Sequence, residues 1–169
     1  MTSPARLHAI IFGLLACNTV YFMVAGRLSE ALESLAWYGL LILFLLETAR
    51  VQALSTRGRA VNHGLRLLAT LAILVSAVLY VREQEWLDAA NLLVWIAIVV
   101  LLEIEIRRPA TVAVHRRAFT VTAALFYAAL GLLILIWLTR GEWMDAWDAA
   151  LWLAAFGLLE LNVLKQNIV

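Results

Sequence analysis

Apolar residues fall along this chain in six long stretches, at 7–26, 32–54, 65–81, 87–106, 119–139 and 144–164, with short polar segments between them. No stretch alternates apolar and polar residues with a period of two, which argues against barrel strands. At a helical rise of about 1.5 Å per residue, each is long enough to cross a hydrocarbon layer about 30 Å thick, the third with least to spare. Backbone groups in lipid must bond within their own segment, so helices are the expected form. The first stretch is longer than the core of a signal peptide and ends in a poor cleavage site, so it is expected to stay as the first span. The two prolines respect these bounds: Pro4 precedes the first stretch and Pro109 follows the fourth. The pattern predicts an all-α polytopic membrane protein, a single transmembrane domain over 1–169.

Composition agrees. Hydrophobic residues make up 64% of the chain and charged residues 15%, against about 45–50% and about 25% in soluble domains. A water-soluble enzyme, a disordered tail and a nucleic-acid binder are excluded, and membrane lipids are the first expected partners. Cys17 is the one cysteine and lies within the first stretch, where a small apolar packing role is expected. It forms no intrachain disulfide and excludes a four-cysteine zinc site.

The small net charge of +1 hides a segregation of charge. Alternate connections carry Arg6, Arg50, Arg57, Arg59, Arg66, Arg107, Arg108, Arg116, Arg117 and Lys165 on one side, and only Arg27, Arg82 and Arg140 on the other. Ten basic residues against three in short loops predict both termini in the cytoplasm of a multi-pass protein of the bacterial cytoplasmic (inner) membrane. The opposite side collects Glu30, Glu33, Glu83, Glu85, Asp88, Glu142, Asp145 and Asp148.

Laid on one another without gaps, the even-numbered stretches repeat. Glu30, Asp88 and Asp145 share a column, followed by Trp37, Trp95 and Trp152, then Glu47, Glu105 and Asn162, then Arg50, Arg108 and Lys165. Matching acid, tryptophan and base columns predict three copies of a helical hairpin, at about 7–54, 65–108 and 119–166, in a pseudo-threefold arrangement. The odd-numbered stretches match more weakly, through Phe22, Tyr80 and Trp137 and through Asn18 with Ser76.

Recurring residues carry the candidate chemistry. Glu30, Asp88 and Asp145 open their helices, where a carboxylate caps free N–H groups and meets the positive end of the dipole. Glu47, Glu103, Glu105 and Glu160 lie toward helix C-termini, where the dipole disfavours anions, and are the candidate functional carboxylates. Glu47 and Glu105 have arginines at i+3, so interfacial ion pairs are expected there. Glu103 and Glu160 lack that neighbour, with Arg107 and Leu164 at their i+4 positions, and are the first choice for a functional carboxylate. Trp37, Trp95 and Trp152 are expected to pack between helices or to wall an apolar ligand, while Trp86 and Trp143 suit a headgroup-level belt. Asn18, beside Thr19, is the candidate polar contact within a span.

No catalytic constellation, metal site or cofactor site is evident. The histidines His8, His63 and His115 offer no facing pair for a haem, and no zinc-protease motif, nucleophile pair or phosphate loop occurs. Three functions remain. In order, they are a structural or accessory subunit alongside other membrane subunits, an ion, proton or small-solute channel or transporter using the inner carboxylates, and an integral-membrane enzyme or a lipid-, quinone- or pigment-binding protein.

Overall fold

The computed structural model describes residues 4–49 and 56–166, and these are helical almost throughout. Seven helices occur among the described residues: α1 (Pro4–Ala25), α2 (Leu28–Ala49), α3 (Thr56–Glu83), α4 (Trp86–Arg107), α5 (Pro109–Val114), α6 (Arg116–Arg140) and α7 (Trp143–Gln166). Four contain segments long and apolar enough to cross a membrane, Leu28–Leu46, Ala60–Glu83, Trp86–Glu105 and Arg116–Arg140, with a shorter apolar segment Ala9–Ala25 in α1. These helices are compatible with a multi-pass membrane protein. Their outward surfaces agree: Ile10, Val24, Leu68, Val78, Leu125 and Leu132 are all more than half exposed. An apolar exterior of that extent is an aggregation hazard in water and an ordinary surface in lipid.

The chain divides into two compact units, 1–84 and 85–169. In the first, α2 packs against both α1 and α3. In the second, α6 packs against α4 and α7, and short α5 touches α4 and α6.

Two-residue corners join α1 to α2, α3 to α4 and α6 to α7, at 26–27, 84–85 and 141–142. Each begins with a residue that tightens the helix end. Gly141 is left-handed at φ 79°, its N–H meeting the Leu138 carbonyl while that of Glu142 reaches Trp137, a Schellman ending. Gln84 takes the same conformation at φ 66° and closes on Val81. Gly26 serves by size: a Cβ there would lie 2.6 Å from the Phe22 carbonyl oxygen and 2.7 Å from the Glu30 carboxylate. The next residue starts the new helix, with Arg27, Glu85 and Glu142 accepting from the N–H groups of Ala31, Ala89 and Ala146. Glu30, Asp88 and Asp145 thereby all stand at the third helical position.

Burial agrees at some positions of the sequence alignment and differs at others, such as half-buried Trp37 beside buried Trp95 and Trp152. Leu15, Ile73 and Leu130 are buried at one position of the odd-column alignment. So are Asn18, Ser76 and Leu133, then Phe22, Tyr80 and Trp137, and in the even columns Ser34, Leu92 and Ala149.

Three features differ from the sequence reading. Helix α3 starts at Thr56, nine residues before its apolar stretch, because a helix can run on into water once its buried part is anchored. The basic segment after α4 contains α5: Pro109 takes the first helical position, where its missing N–H is not needed. Cys17 is exposed on α1, because it falls opposite the face on which Leu15, Asn18 and Phe22 are buried.

Candidate functional site

The first unit holds a polar seam within an otherwise apolar bundle. On α2, Ser29 and Glu33 are one turn apart and face α3, where Tyr80 and Glu83 are three residues apart. The two helices exchange a pair of short hydrogen bonds. The Ser29 hydroxyl donates to Glu83 Oε2 at 2.5 Å, and the Tyr80 hydroxyl donates to Glu33 Oε2 at 2.6 Å. Each rung joins a hydroxyl to a carboxylate, with the donor on α2 in one and on α3 in the other. Ser29 and Tyr80 are buried and the two carboxylates half-buried, so deleting either donor would remove a hydrogen bond sheltered from solvent.

The seam continues between α2 and α1. The Ser34 hydroxyl donates to Thr19 Oγ1 at 3.1 Å, and the Thr19 hydroxyl donates to the Leu15 carbonyl at 2.9 Å. Asn18 lies buried beside Thr19, and buried Ser76 donates to Ala72 within α3. At the corner, the Glu30 carboxylate accepts from the Arg27 backbone N–H at 2.9 Å and from Arg27 Nε at 2.7 Å. That is the return half of a capping box reinforced by an ion pair.

The second unit brings rings and small residues together. Trp95 on α4 and Trp152 on α7 both lie against Phe156, with centroid separations of 4.9 and 6.5 Å. Leu92, Ile98, Ala146, Ala149 and Ala155 are buried on the same helices. Asn91 Oδ1 is shielded from solvent with no hydrogen-bond partner among the described residues. Trp37, the first member of the tryptophan column, is half-buried on α2.

Of the candidate carboxylates, Glu103 is exposed and ion-paired with Arg107 one turn on. Glu105 is exposed and makes no ion pair with Arg108, because the helix ends at Arg107 and Arg108 turns away at φ −131° ahead of Pro109. The side chains of Glu47 and Glu160 lie outside the described residues. Trp86 and Trp143 are exposed, at the first position of α4 and α7. No group of three or more His, Cys, Asp or Glu side chains among the described residues is placed to hold a metal ion.

Residue type alone hides the seam, since Glu33 and Glu83 fall among the acidic residues of one side and Tyr80 in an aromatic column. The available signal was spacing: Ser29 with Glu33, and Ser76 with Tyr80 and Glu83, form polar stripes at helical intervals on apolar helices. Comparison of the chain with protein-family models, with curated proteins and with solved structures finds no match.

Proposed function

We infer that this chain is a small structural or accessory subunit of a bacterial cytoplasmic-membrane complex, built from three repeated helical hairpins in a pseudo-threefold arrangement with both termini in the cytoplasm. The observation that carries this reading is how the polar groups of the first unit are used. Ser34 with Thr19, Ser29 with Glu83 and Tyr80 with Glu33 bond between helices, and Glu30 with Arg27 closes the start of α2. The exterior is left apolar, which suits lipid and neighbouring subunits. The repeat is supported by the three two-residue corners and by burial at equivalent positions. The orientation rests on the ten-to-three distribution of basic residues.

Extraction of the native membrane into mild detergent or nanodiscs tests the assignment. A second membrane protein at fixed stoichiometry is expected, and its assembly should fall when this chain is deleted. A chain that always runs alone overturns the reading. Reporter fusions at each terminus test the orientation, and activity outside the cytoplasm would reverse it.

A second reading, proton or cation transfer, is favoured by one observation: two half-buried carboxylates, each held by a hydroxyl donor, stand about one helical turn apart between α2 and α3. Chains of hydroxyl and carboxylate groups within spans are the material of proton relays. Liposomes carrying the purified chain should then show flux that falls with Glu33→Gln, and absence of flux from the parent protein rejects it.

A further inference from the structure

About ten residues separate the candidate spans of α4 and α6. The apolar segment of α4 ends at Glu105 and that of α6 begins at Arg116, so α5 is tethered at both ends to the boundary of a membrane that these helices cross. With six residues, α5 spans about 9 Å and cannot leave that level by crossing. Its sequence, Pro109-Ala110-Thr111-Val112-Ala113-Val114, carries no charge. Val112 is buried, while Ala110 and Ala113 are exposed and Val114 is 79% exposed. Arg107 and Arg108 precede this helix and His115, Arg116 and Arg117 follow it, all exposed.

The charges do not cancel locally. Glu103 is taken up by Arg107, and Glu105 is the other acid nearby. Arg108, Arg116 and Arg117 form no ion pair with another described residue. An uncharged, outward-facing turn bracketed by guanidinium groups at a fixed depth matches the chemistry of one occupant. Acyl chains meet Val114 and the exposed alanines, and phosphate oxygens meet the arginines, whose planar forks donate to two oxygens at once. A purely aqueous anion would leave Val114 uncovered, and a peptide partner would not account for the depth.

We propose that the segment 107–117 is a binding element for anionic phospholipid, with α5 seated among the upper acyl chains and Arg108, Arg116 and Arg117 gripping headgroup phosphates. This stands apart from the subunit assignment, since it concerns lipid of the surrounding leaflet and holds whether or not the chain has protein partners.

The full chain is reconstituted in nanodiscs of phosphatidylcholine with a minor share of phosphatidylglycerol. It is then stripped with mild detergent, and the retained lipids are measured by mass spectrometry. Several-fold enrichment of phosphatidylglycerol is expected. It should fall at least about threefold in Arg108→Gln/Arg116→Gln/Arg117→Gln and persist in Arg82→Gln/Arg140→Gln, which removes arginines elsewhere. Val114→Ser should weaken retention without changing charge, and keeps the test open if the triple variant fails to fold. Absence of enrichment in the parent, equal retention by the triple variant, or equal loss in the Arg82/Arg140 control each overturns the proposal. Enrichment abolished by millimolar inorganic phosphate would assign the arginines to a soluble anion and overturn it too.

Discussion

The two units solve one packing problem with different materials. The first buries Ser34, Ser76 and Tyr80 among its helices, and the second buries Leu92, Leu133, Trp137 and Ala149. Hydroxyl–carboxylate bonds cross between helices of the first unit, and ring contacts among Trp95, Trp152 and Phe156 lie within the second. The contrast is instructive because the hydrophobic effect does not press apolar helices together in lipid. What remains is close van der Waals contact and hydrogen bonding between helices. Both kinds of contact can be removed one at a time, so their shares can be compared.

The largest effect is expected from the aromatic contact. Trp95→Ala removes the ring resting on Phe156 and leaves a cavity. The loss should be about 2–3 kcal/mol, below the soluble range of about 3–5 because lipid replaces water as the reference. Thermal unfolding in detergent reads it, and a loss under about 1 kcal/mol would mean that rings do not hold the second unit. Next comes Gly26→Ala, whose methyl would overlap the Phe22 carbonyl and the Glu30 carboxylate. A cost of about 2 kcal/mol is expected, falling on the first unit. Hydrogen exchange at the start of α2 should rise, and an unchanged profile would show that the corner can relax.

Tyr80→Phe and Ser29→Ala should each cost about 1 kcal/mol, and Tyr80→Phe should couple to Glu33→Gln in a double-mutant cycle. Additive losses would dissolve the seam as a structural device and erase the contrast between the units. The smallest expected effect has the opposite sign. Gln84→Gly should stabilise by up to about 1 kcal/mol, since a left-handed residue without a Cβ is unstrained, while Gly141→Ala should lose about as much. If both changes are neutral, these corners bear no strain.

Different parts of this molecule were legible to different depths. The described residues of all six apolar stretches are helical, because length and apolar content decide helix formation locally. The role of Glu30 was equally accessible, since capping depends on a few neighbouring residues. Helix α5 escaped notice because six residues flanked by arginine pairs carry too little periodicity to separate a helical turn from a loop. The expected Glu105–Arg108 pair failed on backbone direction, set by Pro109 one residue further on. The seam escaped for another reason: pairing Ser29 with Glu83 and Tyr80 with Glu33 requires the register of α2 against α3, a tertiary fact that no single helix contains.

The tight corners at 26–27, 84–85 and 141–142 have a corollary for anything that must handle the polypeptide there. A protease or a sugar-transferring enzyme threads several residues of extended chain through its cleft, and each corner supplies two. Epitopes and cleavage sites grafted at these places would have to unravel a helix end before being read, so these joints should resist nicking for as long as the helices on either side stay wound.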